Sequence, residues 1–361
     1  MKSYLLPNTT ENVLSLDELS SDPVSGALLR FVTFVNYAIL IGAISFVGVI
    51  LNLLNIAVFF KQGFKDTINI PFLGLAVADV CGLISLIWMS ICYNPLMVGA
   101  LPAFSFIDIQ HITAGWPHVC FTRISGWLTA FITFERYLCI AVPLKVKRIL
   151  TRKRTIIAVV FIFLIVIVSV VPVYVAIYIA PRLEEDGALV FGIKYIPDGA
   201  NLENFSIYFS TFLQLSSFAF VIVCTSGLVY KLNKKSKWRQ ATSSAGQNEA
   251  VSNRDKKVVK MVISMAVVFI VSFTPVVIHM VAMLSKHDYM VGGRYQNLFL
   301  LCGTFVFNLE AINCSSSLCI YLKMSSQFKA VFLSLFGFKD GSKTKIQRHQ
   351  SIKLPSGGET L

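Results

Sequence analysis

Apolar residues along this chain arrive in long unbroken blocks. Residues 31–60, 156–180 and 204–230 contain no Asp, Glu, Lys or Arg. Neither the alternation of a half-buried strand nor the single stripe of a surface helix has that form; a helix apolar all round is one buried in lipid. A spanning helix needs roughly 20 such residues, so each block is long enough. Four further blocks qualify with one or two polar intrusions: about 68–92 around Asp79, 112–139 around Arg123, 258–284, and 295–322 around Glu310. The pattern predicts seven membrane-spanning helices. Residues 325–336, SSQFKAVFLSLF, change period: Phe328, Val331, Phe332 and Leu335 recur at helical spacing, as in an amphipathic helix lying on a membrane surface.

Composition agrees. A chain that is 55% hydrophobic and 14% charged, with mean hydropathy +0.69, lies outside the ordinary soluble range. The net charge of +13 raises the question of nucleic acid, and its distribution answers it. Twenty-five of the 32 Lys and Arg residues fall at 61–67, 136, 145–154, 231–260 and 323–361, the segments on one side of seven spans. The acids Glu11, Asp17, Glu18, Asp22, Glu184, Glu185, Asp186, Asp198, Glu203 and Asp288 lie on the other side or at its edge. This is a positive-inside signature, with the N terminus outside and the C terminus cytosolic; it requires no nucleic-acid partner.

The expected organisation is an outer segment over 1–30, a seven-helix domain over 31–322, the surface helix over 323–338 and a cytosolic tail over 339–361. The polar start shows no cleavable signal, so the first span is expected to serve for export. Asn8 (Asn8-Thr9-Thr10) and Asn204 (Asn204-Phe205-Ser206) are glycosylation acceptors on the outer side, Asn8 the better placed. The loop 231–257 and the tail are rich in Ser, Gly, Lys and Gln and read as flexible.

Polar residues at membrane depth are costly, roughly 2.5–3.5 kcal/mol for a central charge, so each requires a reason. The first span carries GVILN ending at Asn52 and the second LAVAD ending at Asp79. The third carries Ser125 and then Glu135-Arg136-Tyr137, with Pro143 seven residues after the arginine. The sixth carries FIVSFTP from Phe269 through Phe273 to Pro275, and the seventh carries Asn313 and Tyr321. Taken together over about residues 31–336, these resemble the rhodopsin-like G-protein-coupled receptors.

That resemblance implies an all-α membrane protein, a seven-transmembrane helix bundle with a short amphipathic cytosolic helix after the seventh span. It has no catalytic residues and its partner is a heterotrimeric G protein. Glu135, Arg136 and Tyr137 correspond to the family's switch at the inner end of helix three. Arg136 would pair with Asp255 on helix six in the resting state. Pro275 would supply the kink about which helix six swings, Phe269 and Phe273 its aromatic core switch, and Tyr321 a further part of the coupling region. Leu144 beside Pro143 would meet the G protein. Asp79, Ser125, Asn313 and Ser317 match the pocket that holds sodium in similar receptors, with a water-filled polar cluster as the other reading. Membrane lipids, receptor kinases and arrestin are further expected partners; Ser243, Ser244 and Ser351 are candidate phosphorylation sites.

The chain also departs from the family pattern. Its seventh helix reads SLCIY, Ser317 and Leu318 replacing the usual Asn and Pro, so a straighter helix is expected there. Phe273 stands where the family usually has Trp. The usual outer disulfide has neither cysteine: its helix-three position is His111, and the loop 181–204 has none. Cys92 and Cys302, near the outer ends of neighbouring helices, are a candidate bridge. With GWPHVCFTRISGWLTAFITFERYLCI, these departures resemble invertebrate orphan receptors, the chemosensory kind described in molluscs and related neuropeptide receptors.

A pocket for a small molecule or peptide is expected among helices three, five, six and seven. His118 stands where amine receptors carry an Asp, which argues against a monoamine. Arg123 lies thirteen residues before Arg136, about 20 Å along the helix. Arg123 and Glu310 either form a buried ion pair, directly or through His118, or bind the two ends of a zwitterion such as an amino acid or short peptide. Phe307 and His279 are candidate walls, with Tyr289 and Tyr295 at the entrance. A small-molecule transporter or channel using Asp79, Arg123 and Glu310 as a polar path is the competing class; no inverted pair of broken helices supports it.

Overall fold

The computed structural model describes residues 22–64, 66–183, 189–241 and 249–337; the side chains of 144, 147, 235–241 and 249–256 lie outside that description. Asn8, Ser243, Ser244 and Ser351 therefore fall outside the described residues, as do the side chains of Leu144 and Asp255 and any Arg136–Asp255 bridge.

The described residues form seven long helices: α1 Gly26–Gln62, α2 Asn69–Cys92, α3 Trp116–Ala141, α4 Arg152–Ala176, α5 Gly199–Ala241, α6 Glu249–Ser285 and α7 Gln296–Met324. A short α8, Ser326–Leu335, follows; its N-cap Ser325 accepts from the Phe328 amide at 3.2 Å. Each helix packs on its chain neighbours and α7 returns to α1, closing a ring; α3 additionally touches α6.

Six of the seven are long and apolar enough to cross a membrane. The seventh, α3, is 26 residues long but carries Arg123, Glu135 and Arg136. Its position explains why it tolerates them. Walled by α2, α4, α5 and α6, it buries Arg123, Glu135 and His118 against protein, where polar groups find partners. The outer helices show the complementary pattern: α4 exposes Phe161, Leu164 and Val168 while Val166, Val170 and Val173 face inward.

Close approach of α1 to α7 sets one seam. A Cβ on Gly48 would run into Ser315 Oγ and Leu83, so only glycine fits there. Asn52 locks the same seam, donating to the Gly48 carbonyl at 3.0 Å and across to the Cys314 carbonyl at 2.8 Å.

Sequence reading expects α7 to run straighter without its proline, and it does not. The helix breaks at Ser316, whose amide turns to the Asn313 carbonyl at 3.2 Å in place of the usual helical acceptor. Two serine hydroxyls stand at the break. Ser315 Oγ donates to the Ala311 carbonyl at 2.7 Å and Ser316 Oγ to the Asn313 carbonyl at 2.8 Å, competing with the backbone ladder.

Between α4 and α5 the chain forms an antiparallel hairpin, β1 Ile177–Leu183 and β2 Leu189–Tyr195, paired from Ile177↔Tyr195 to Leu183↔Leu189. Sequence reading treats this segment only as an outer loop.

Candidate functional site

Three polar groups lie along the axis of the bundle, and a fourth at its outer end was not foreseen.

The outer group replaces the missing disulfide. His111, in a π-helical turn just before α3, places Nε2 2.7 Å from Glu203 Oε1 at the start of α5. Trp116 Nε1 donates to the same oxygen at 3.1 Å, and the Tyr195 hydroxyl donates to Glu203 Oε2 at 2.5 Å. Burial and the adjacent carboxylate push the Tyr195 phenol well above its ordinary value, so it stays a donor. A second tie lies beside it: Arg182 of β1 pairs with Asp108 at 3.0 Å, and the Ile193 amide donates to the same carboxylate at 3.2 Å. Phe191 exchanges backbone bonds with Ala103 and Ser105 at 2.8 and 3.0 Å. Helix three, the hairpin and helix five are thus joined without sulfur. None of the eight cysteines forms a disulfide, so the candidate Cys92–Cys302 bridge is corrected: Cys92 is buried on α2, and Cys302 interacts instead with the Tyr289 hydroxyl.

The deep cluster joins α2, α3, α5 and α7. Glu310 Oε2 lies 2.9 Å from His118 Nε2, and Glu310 Oε1 lies 3.7 Å from Arg123 Nη1. Arg123 donates also to Gln214 Oε1 at 2.8 Å and to Ser210 Oγ at 3.2 Å. The Phe307 ring lies 5.4 Å from His118 and 5.8 Å from Tyr37. Arg123, His118, Glu310 and Phe307 are therefore together, and the ion pair forms both directly and through His118. Sequence reading missed Gln214 and Ser210; their four-residue spacing within a charge-free run was the available signal, one helix face carrying two polar side chains. His279 stands apart, its Nδ1 2.9 Å from the Tyr289 hydroxyl and its ring stacked on Phe299 at 5.0 Å.

Below it, Ser125 Oγ donates to Asp79 Oδ1 at 2.8 Å. Asp79, Ser125, Asn313 and Ser317 line one small cavity with Thr129, Phe269 and Ser316. Ser317 is also engaged outward, bonded to Asn52 Oδ1 at 3.2 Å and by Asn55 Nδ2 at 3.0 Å. Phe269 and Phe273 pack with ring centres 4.4 Å apart, just before Pro275, through which α6 continues.

The inner group is sparse. Arg136 Nη2 donates to Glu135 Oε1 at 2.9 Å, and Thr67 Oγ1 reaches the same oxygen at 3.4 Å. Glu135 Oε2 and Arg136 Nε are buried and have no hydrogen-bond partner among the described residues. The Tyr137 ring fills the space beside Gly227 of α5, where an added Cβ would come within 3.0 Å of it. Pro143 opens a short helix, Pro143–Ile149. Tyr321 is packed among Phe59, Phe72 and Phe328 at 5.2–5.5 Å. Asn204, the second glycosylation candidate, lies half-buried in the first turns of α5.

A closed ring of seven helices that buries Arg123, Glu135 and Glu310 inside and turns large apolar side chains outward has the form of a multi-pass membrane protein. Residues 51–325 match the 7 transmembrane receptor (rhodopsin family) model, and the chain belongs to that family. A comparison with curated proteins finds no match.

Proposed function

We propose that this chain is a plasma-membrane receptor that binds an extracellular ligand between its outer helix halves and activates a heterotrimeric G protein at its inner face. Its N terminus lies outside and its C terminus in the cytosol. The ligand is a chemosensory cue, an amino acid or a short peptide, a neuropeptide among the last, held by His118, Arg123, Phe307 and Glu310. The receptor breaks no bond. Ligand binding shifts the population toward a state in which α6 moves outward and the partner docks.

The observation that carries this reading is the incomplete bonding of Arg136. A guanidinium at the end of the central helix, with one buried donor that meets no partner among the described residues, can exchange its neighbour Glu135 for an incoming acceptor. Arg136→Ala in cells, with surface level checked, tests it. G-protein dissociation lost at unchanged surface level agrees; dissociation retained in full rejects the role of Arg136.

Sodium binding at Asp79, Ser125, Asn313 and Ser317 belongs to the same proposal. Asp79 with the Ser125 hydroxyl offers oxygen ligands suited to a hard cation. Ser317, bonded to Asn52 and Asn55, is the weakest of the four.

A further inference from the structure

The deep cluster can be counted in protons. His118 Nδ1 lies 3.2 Å from the Gly82 carbonyl oxygen. That oxygen only accepts, so Nδ1 carries a hydrogen. His118 Nε2 lies 2.9 Å from Glu310 Oε2, and two atoms with lone pairs approach that closely only with a proton between them. Whether that proton is on nitrogen or oxygen, His118 and Glu310 together are neutral. Arg123 then leaves the cluster with one net positive charge, independent of the tautomer assigned.

The remaining contacts do not cancel it. Ser210, Gln214 and Thr122 are neutral, and the adjacent rings are those of Phe307 and Tyr37. Among the described residues no second carboxylate contacts Arg123 or His118. Asp79, the next acid inward, is bonded by Ser125. Both oxygens of Glu310 already face protein donors, Oε2 the His118 Nε2 at 2.9 Å and Oε1 the Arg123 Nη1 at 3.7 Å, and its one negative charge is already balanced within the cluster, so nothing there attracts a ligand ammonium. Gln214 supplies the second, independent observation. Arg123 can only donate, so Oε1 of the amide must face it. The other end, Nε2, is a wholly buried donor without a partner among the described residues.

We infer that this cluster recognises the carboxylate of an anionic ligand with an apolar body. Arg123 and Gln214 Nε2 take the carboxylate oxygens, and the Phe307 ring packs on the body. The inference rests on reading the bundle as a ligand receptor and narrows its ligand: an acid is bound, and the ammonium end of a zwitterion finds no anchor.

The test is thermal melting of the purified full-length protein in detergent, which needs no G protein. A failed probe assay and a failed coupling assay are therefore told apart. Phenylacetate, phenylacetamide, phenethylamine and chloride are compared at matched ionic strength. The expected result is a saturable rise in melting temperature with phenylacetate alone. Gln214→Leu should weaken its half-saturation by about tenfold, the loss of one charge-assisted bond. Gln214→Glu should raise the melting temperature without any probe and abolish the phenylacetate shift, because it places the missing carboxylate inside the protein. An equal shift with the amide or the amine overturns the inference. So does a shift with chloride equal to that with phenylacetate, or a phenylacetate shift that survives Gln214→Glu. Should Gln214→Leu fail to fold, the Glu variant decides.

Discussion

The outer and inner ends of helix three are bonded very differently. At the outer end, Glu203 accepts from His111, Trp116 and Tyr195, and Asp108 accepts from Arg182 and the Ile193 amide. Each carboxylate is shared between separate elements, so the hairpin, α3 and α5 move as one body. At the inner end, Arg136 bonds its own neighbour Glu135, and both residues keep a buried polar atom without a partner among the described residues. A bond between adjacent residues ties no helix to another, and the 3.4 Å bond from Thr67 links Glu135 only weakly to the connection between α1 and α2. The difference teaches where the bundle can change shape: the His111–Glu203 end is held by polar bonds shared between separate elements, while the Arg136 end keeps polar atoms without a partner among the described residues.

Substitutions can break that contrast, and melting temperature ranks them. Glu203→Ala should have the largest effect. It strands the buried Trp116 indole donor and the partly buried His111 and Tyr195 donors, costs about 3 kcal/mol and lowers melting by on the order of 10 °C. Melting within a degree or two of the parent would show that the outer ties are not what holds the hairpin. Asp108→Asn keeps the shape but loses the charge opposite the partly exposed Arg182. A cost of roughly 1–2 kcal/mol is expected, together with faster protease cleavage in the hairpin; unchanged cleavage kinetics would count against the second tie.

Gly227→Val should cost about 1–3 kcal/mol by overpacking Tyr137, and it should reduce G-protein activation more than Glu203→Gln does at equal surface level. Should the two variants impair activation equally, the inner end would have no special place in coupling. Arg136→Ala should move melting least, by no more than about 0.5–1.5 kcal/mol for its single described bond, while removing G-protein activation. A melting loss as large as that of Glu203→Ala would mean that Arg136 is a structural anchor, and the contrast between the two ends would collapse.

The number of long helices was legible because the signal is local: length and absence of charge are each read within one segment; their limits were less so, α1 beginning at Gly26 and α5 at Gly199, several residues before the charge-free runs. The helical period of α8 was legible in the same way, but Phe328, expected on a face laid against the membrane, is buried against Phe59 and Tyr321 of the bundle. The polar cavity was legible through the family resemblance, which had grouped Asp79, Ser125, Asn313 and Ser317 before the structure placed them around one cavity. The break in α7 was not foreseen because only proline was taken as a signal for one, whereas Ser315 and Ser316, whose hydroxyls bond helix carbonyls there, leave no comparable mark on the sequence. The Cys92–Cys302 bridge was misread because neighbouring helices do not settle which way a side chain faces.

The sequence by itself determined that this chain crosses a membrane, how many times and with which polar residues buried, because burying charge in lipid is costly enough to be visible residue by residue. Only the tertiary structure decided the partners. Glu203 looks like any other outer-side acid until three elements converge on it. Gln214 and Ser210 look like ordinary helix residues until α5 is packed against α3. The net charge of the His118–Arg123–Glu310 cluster depends on which lone pairs face which hydrogens. Those are relations between residues as many as 192 positions apart, and packing alone brings such atoms within bonding distance.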